Sequence, residues 1–248
     1  FYSMWTIQKF LDEQFGNFTS EDADRIRECP QHLEDGITTN PEWLEYRKYR
    51  ITGSDYAAAA NLNKYSSPDD LVFQKLHGTF SGNEMTLYGS THEPDAQDVY
   101  VDYKISQFVK NGEPFDFRVE NIGLSINPKY PWIGMSPDGI IYENGKKGLL
   151  EIKCPFTKRE RRANGGDFYP QIKLTGFDPV RIAPIPKYYQ AQIQGGMGIL
   201  GLEFCDFFVW TPEESQLTRI PFNKEYFEND LFPKLSNWYH NKFAPAIV

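Results

Sequence analysis

Asp138 in "SPDG", and Glu151 and Lys153 in "LLEIKCP", are the residues of this 248-residue chain whose types and spacing suit chemistry. A glutamate and a lysine two positions apart on a strand share a face, because side chains alternate with period two. A hairpin that returns the aspartate beside them sets two carboxylates and an ammonium at one end of a sheet. Such carboxylates hold one or two Mg²⁺ ions, with the Ile152 carbonyl able to add an oxygen and Mn²⁺ as a substitute. The matching reaction is phosphodiester hydrolysis, in which the ion meets the phosphate charge. Lys153 would position or deprotonate the attacking water, or stabilise the pentavalent charge. Glycoside hydrolysis needs only the two acids and leaves Lys153 without a place. The plain alternative is a solvated Glu–Lys pair on a half-exposed strand. Against it, "LLEIKCP" is otherwise apolar, and charges set there are costly without a ligand or a task.

Several elements must position these groups. "WIGMSPDGIIYE" and "KGLLEIKCP" read as strands joined through "NGKKG", where Asn144 and Gly145 supply the turn. "FDFRVENIGLSI" precedes them as a third strand. In "GLLEIKC", Leu149, Glu151 and Lys153 lie on one face, and Leu150, Ile152 and Cys154 on the other. The amino-terminal half reads as helical. "WTIQKFLDEQF" has helical spacing, Thr19 or Ser20 caps the next helix, and Pro41 opens a third. Ser54 is the expected cap of "GSDYAAAANL", Ser67 that of "SSPDDLVFQKLHG", and a longer helix covers "STHEPDAQDVYVDYKISQFVKNG". Beyond the strands come a helix over "PKYYQAQIQGGMGILG", strands at "FCDFFVWTP" and "SQLTRIPF", and a closing amphipathic helix that Pro233 is expected to kink. Helices, a β-meander, a helix and further strands predict a mixed α/β fold, a mixed central sheet flanked by helices. Residues 1–40 are expected to be an acidic helical elaboration, and residues 41–248 the main domain.

Cys29, Cys154 and Cys205 are too few for a four-thiolate cluster and odd in number for a disulfide framework. The absence of a long apolar run argues against a membrane span, and "FYSMWTIQKF" lacks the marks of a signal peptide, so the expectation is an intracellular protein. The net charge of −8 argues at first against a nucleic-acid partner. The charge is divided, however. Residues 1–45 carry net −7 and residues 141–165 net +4, so positive charge gathers next to the Asp138–Lys153 motif. Within that basic stretch, "KRERR" reads either as a solvated loop or as contacts to a phosphate backbone from Lys158, Arg159, Arg161 and Arg162.

"SPDG", then "LEIKCP", then "YYQAQIQGGM", in that order, closely resemble the restriction-endonuclease-like nucleases of the lambda exonuclease type, which include viral alkaline exonucleases. The resemblance runs from about Trp43 to Trp210. It implies a Mg²⁺-dependent deoxyribonuclease degrading one strand of linear duplex DNA from the 5′ end in recombination or genome processing. By the same resemblance, Asp138 and Glu151 are metal ligands, Lys153 the catalytic lysine, and Glu93 in "YGSTHEPDA" an upstream member of the acidic cluster. Gln192 lies near the attacking water with Tyr189 as its partner. Arg47 and Ser54, in "WLEYRKYRITGS", hold a 5′-terminal phosphate. As the first residue of a helix, Ser54 would also place that anion at free N–H groups, and Arg47 can grip phosphate bidentately. A homo-oligomer, the trimer of the phage-type enzymes, a single-strand annealing partner and a place in the cytoplasm or nucleus of a host cell are implied in the same way. An endonuclease of this fold and a catalytically idle DNA-binding scaffold are the competing readings. The acidic N-terminal helices have no clear counterpart in the phage-type enzymes.

Overall fold

The computed structural model describes residues 4–36, 38–78, 84–112, 114, 116–156, 185–212 and 215–248. Its centre is a five-stranded sheet in the order β2 (Phe117–Glu120), β5 (Gly139–Glu143), β6 (Lys146–Lys153), β7 (Phe204–Trp210), β8 (Ser215–Pro221). All neighbours are antiparallel except β6 and β7, which run parallel. The parallel pair needs a crossover, and α7 (Lys187–Leu200) lies between the two strands in the chain. A small second sheet has the order β1 (Ile51–Thr52), β4 (Ile133–Met135), β3 (Ser125–Ile126).

The two sheets revise the expected strands. "FDFRVENIGLSI" divides into β2 and β3, and "WIGMSPDGIIYE" into β4 and β5, each half in a different sheet. The second break falls at Ser136, Pro137 and Asp138. Proline has no N–H to give a ladder, so the chain leaves one sheet there and enters the other with Asp138 at the corner. The β5–β6 hairpin has the expected turn, with Asn144 and Gly145 at φ of 49° and 75°, the conformation that two-residue hairpins require.

Period two decides what β6 buries on each side. Leu149 packs in a cluster with Ile193 and Met197 of α7 and Phe207 of β7. Leu150 and Ile152 pack on the other side with Ala96 and Tyr100 of α6 (Glu84–Asn111) and Phe208. The sheet is therefore sandwiched between α6 and α7. α6 begins earlier than the sequence suggested and runs through Pro94, ending before Gly112 at φ 65°. It is pinned by buried charge: Lys104 donates to both Glu143 oxygens (2.9 and 3.0 Å), the Tyr100 hydroxyl donates to Asp206 Oδ2 (2.7 Å), and Arg219 bridges Asp206 and Glu143.

The amino-terminal helices α1 (Met4–Phe15) and α2 (Ser20–Glu28) form as expected, α2 through a Thr19–Asp22 capping box. They pack inward. Phe10 and Phe15 share a core cluster with Trp132, Trp238 and Tyr239, and Ile26 and Cys29 share another with Trp43 and Leu124. α3 (Pro41–Arg47) opens on Pro41 with Asn40 as its cap. Ser54 is not a helix cap: Asp55 accepts from the Thr52 N–H (2.9 Å) and hydroxyl (3.2 Å), and this box starts a 3₁₀ turn (Gly53–Asp55) leading into the short α4 (Tyr56–Ala59). α5 (Pro68–His77) has the expected Ser67 cap. The closing segment, Lys224–Ile247, is helical throughout: α8 (Lys224–Tyr226), α9 (Phe232–Trp238) and α10 (Ala244–Ile247) are linked by π turns, with Pro233 in the first turn of α9. No helix among the described residues is long and apolar enough to cross a membrane.

Candidate active site

The corner between β4 and β5 faces the end of β6, and this meeting builds the site. The Ile152 N–H donates to Asp138 Oδ2 (2.6 Å). The N–H and C=O of one extended residue leave the same edge of a strand, so the Ile152 carbonyl lies on the edge that meets Asp138. Glu151 is 1% exposed. One of its oxygens, Oε1, accepts from the Lys153 ammonium and from Gln192 Nε2 (2.6 Å). Its other oxygen, Oε2, is buried without a hydrogen-bond partner. Gln192 reaches the site because α7 crosses over that face of the sheet. One turn earlier on α7, the Tyr189 ring lies 5.5 Å from the Lys153 ammonium and 5.5 Å from the Phe207 ring.

Electrostatics ties Glu93 of α6 to the same cluster. Burial raises its carboxyl, Lys153 lowers it, and Glu151 raises it again. Asp138 is pushed up to about 7 by burial and by the neighbouring Glu93, against the pull of Lys153 and the Ile152 N–H. Glu151 is likewise pushed up to about 7 by burial, with Lys153 opposing and Asp138 adding to the rise. For Lys153 burial alone favours the neutral amine; Glu151 and Asp138 reverse this and hold the ammonium well above its ordinary value. Three acids around one ammonium leave an excess of negative charge in a confined volume, which a cation would relieve.

As they stand, no three His, Cys, Asp or Glu side chains among the described residues are arranged to hold a metal ion. Glu151 Oε1 is engaged by Lys153 and Gln192, and Asp138 Oδ2 by the Ile152 N–H. The donor chemistry nonetheless fits a hard divalent cation. It is all oxygen, and the orphaned Glu151 Oε2 is a buried acceptor that costs free energy until something meets it.

A second cluster adjoins the first. Arg47, stacked 4.2 Å from the Trp43 ring, reaches Ser54 Oγ and Ser136 Oγ, each at 3.4 Å. Asp55 beside it is paired with Lys75 at 2.9 Å. Ser136 is one residue that sequence reasoning missed. Its signal was present, a serine two positions before Asp138, but a hydroxyl in a turn is ordinary until Arg47, 89 residues away, is seen to reach it. Gln97 was missed as well: its amide donates to Asn121 Oδ1 (2.7 Å) and to the Asp138 carbonyl (3.2 Å). A cleft of about 700 Å³ opens beside Glu93 and Asp138, with Arg27 and His32 on its amino-terminal side. His92 packs against Tyr88 (4.4 Å) and Trp210 (5.5 Å) and bonds Asp95 (3.2 Å), outside the carboxylate cluster. Lys158, Arg159, Arg161 and Arg162 lie outside the described residues.

A mixed sheet between helices, with a carboxylate corner meeting an E-x-K strand, is the restriction-endonuclease-like class of α/β fold. Within that class, the chain belongs to the family of YqaJ-like viral recombinase domains, whose model matches residues 42–203. In structure it is similar to an alkaline exonuclease (LHK-Exo) from Laribacter hongkongensis, with 25% identity over 84% of this chain and 95% of that one, at a TM-score of 0.58. It is similar in fold to LHK-Exo in complex with dAMP, with 24% identity over 84% of this chain and 93% of that one, at a TM-score of 0.55. No curated protein matches the chain in sequence.

Proposed function

We propose that the chain is a metal-dependent deoxyribonuclease that removes nucleotides from the 5′ end of linear duplex DNA. The observation that carries this reading is the convergence of Asp138, Glu151, Lys153 and Gln192 at the end of β6, with Glu93 acting on the same charges. Kinship with a viral recombinase family and likeness to an alkaline exonuclease support the same reaction. Asp138, Glu151, the Ile152 carbonyl and Glu93 would hold Mg²⁺ or Mn²⁺, which supplies positive charge against the phosphate oxygens. Lys153 holds an ammonium beside the reacting phosphorus and stabilises the charge that gathers as water attacks in line. Gln192 orients that water through its amide, and Tyr189 fixes the position of Lys153 by covering it.

Arg47, Ser54 and Ser136 supply a guanidinium and two hydroxyls to a terminal 5′ phosphate. Because Ser136 and Asp138 sit on one turn, the terminal phosphate and the scissile one are held by the same short stretch of backbone. Each cut then regenerates the group that this cluster binds. A binding scaffold would have no use for a carboxylate as buried as Glu151 beside the Lys153 ammonium, since its desolvation is costly.

The reading is tested with linear duplexes bearing 5′-phosphoryl or 5′-hydroxyl ends, labelled on each strand, and with a closed circular duplex. Expected are Mg²⁺-dependent release of nucleotides from the 5′-phosphorylated strand, weaker action on the hydroxyl end and an intact circle. Arg47→Gln should erase the difference between the two ends. Sustained cutting of the circle would make the protein an endonuclease, and undiminished activity in Asp138→Ala would remove the site.

A further inference from the structure

Asp55 creates a conflict within the cluster of Arg47, Ser54 and Ser136. It follows Ser54 directly in the chain, so a carboxylate adjoins a hydroxyl assigned to a terminal phosphate. A phosphate monoester carries about two negative charges at pH 7, and anions brought together away from bulk water repel strongly. The local fold nevertheless needs an acid here, because Asp55 starts the 3₁₀ turn: its Oδ2 accepts from the Thr52 N–H (2.9 Å) and hydroxyl (3.2 Å). The same turn carries Ser54, whose Oγ lies 3.4 Å from the Arg47 guanidinium.

Lys75 answers that conflict from another element. It lies in the last turn of α5, 20 residues further along, and its ammonium donates to the same Asp55 Oδ2 at 2.9 Å. The two side chains are only 13% and 15% exposed, and the buried Phe243 ring of the closing segment stands 5.8 Å from the ammonium. An exposed ion pair at such a distance would contribute little, whereas one sheltered from solvent is screened far less. Burial opposes the charge on Asp55; Lys75, ahead of Arg47, overcomes this and holds the carboxyl below its ordinary range. With Lys75 in place the pair is neutral as a unit. Without it, Arg47 would be left to balance Asp55, and a guanidinium drawn to a carboxylate is less available to a phosphate.

We propose that Lys75 is a positioning residue for the 5′-phosphate cluster: by holding and neutralising Asp55 it fixes the turn that presents Ser54 and leaves Arg47 to the phosphate. The inference rests on the reading of Arg47, Ser54 and Ser136 as the terminal-phosphate site and names what governs the selectivity of that site. Lys75 acts on the end group through Asp55 and touches neither the DNA nor the reacting atoms. Its loss therefore changes which ends are accepted and leaves the rate of a correctly bound substrate alone.

The test measures KM and kcat in Mg²⁺ on linear duplexes with 5′-phosphoryl or 5′-hydroxyl ends, for wild type, Lys75→Met and Asp55→Asn. Lys75→Met leaves the carboxylate uncancelled and should raise KM for the phosphorylated end about tenfold, with kcat and the KM of the hydroxyl end moving less than about twofold. Asp55→Asn keeps an acceptor for Thr52, removes the negative charge and should lower KM for the phosphorylated end about threefold. Opposite signs from the two halves of one ion pair are the mark of charge control; a pair that only braces the fold would weaken both variants alike. The ratio of the two KM values within one preparation does not depend on the folded fraction, so partial unfolding cannot imitate the result. A raised KM for the phosphorylated end in Asp55→Asn, or a wild-type ratio in Lys75→Met, would overturn the inference alone. A wild type indifferent to the end group would overturn the phosphate cluster and the inference with it.

Discussion

Glu151 is where the hydrogen bonds of the site converge. It is buried, bonded through one oxygen to Lys153 and Gln192, and unpartnered at the other. Replacing Lys153 by Met should lower kcat by about 10²–10³-fold, the usual loss when a preorganised charge is removed. The DNA affinity should change far less, because one ammonium among many phosphate contacts contributes little to binding. Single-turnover kinetics beside a binding isotherm separate the two; a parallel fall in both would make Lys153 a binding residue. Asp138 allows a second prediction. Its folded-state value of about 7 lies above the ordinary 3.8, so between those pH values the folded chain holds a proton that the unfolded chain has released. The stability contributed by this group is therefore present in acid and lost as pH rises through 7. In chelator, Asp138→Asn should melt at a higher temperature than wild type at pH 8, and by a clearly smaller margin at pH 5. A variant that melts lower at pH 8 would show that the buried carboxylate does not strain the metal-free fold.

At the scale of elements, the site depends on the seating of α6 as much as on its own ligands. Glu93, Gln97, Tyr100 and Lys104 recur at helical spacing along α6, so one face carries Glu93 and Gln97 toward Asp138 and Tyr100 and Lys104 into the charge network of β5, β7 and β8. Removing one member of a buried ion network leaves its partners unpaired. Lys104→Met should cost about 3–5 kcal/mol of stability in urea unfolding. If the variant instead unfolds at the wild-type urea concentration, the network is not what anchors the helix. The crossover α7 has a comparable task. Gly195 allows the Tyr56 ring to approach to where a Cβ would stand, 2.4 Å from the nearest ring atom, so α4 and α7 pack closely and Gln192 is held over Glu151.

For the molecule as a whole, the first forty residues matter more than their composition suggests. Phe10 and Phe15 enter the core beside Trp132 and Tyr239, and Arg50 lies 5.1 and 5.2 Å from the Phe15 and Phe18 rings while donating to the carbonyls of Pro131 and Tyr46. α2 also meets the β2–β3 connection so closely that a Cβ on Gly123 would stand 1.9 Å from the Cys29 carbonyl oxygen. A chain beginning at residue 41 should therefore melt well below the intact one in a circular dichroism scan, since each large core side chain removed costs about 3–5 kcal/mol. Retention of the full melting temperature would make the amino-terminal helices a dispensable elaboration.

By itself the sequence determined the mixed α/β class, the β5–β6 hairpin and the faces of β6. Those features are local, following from period-two alternation, turn chemistry and short motifs whose members lie within a few residues of each other. Only the tertiary structure decided that "WIGMSPDGIIYE" breaks between two sheets, that Thr52 and Asp55 displace Ser54 as the helix start, that Arg47 spans Ser54 and Ser136, and that a lysine and a tyrosine on α6 seat the helix carrying Glu93. The physical reason is range. Alternation and capping are settled by neighbours along the chain, whereas an ion pair or a hydrogen bond between residues 40 or 100 positions apart exists only after the core has chosen which surfaces to bury.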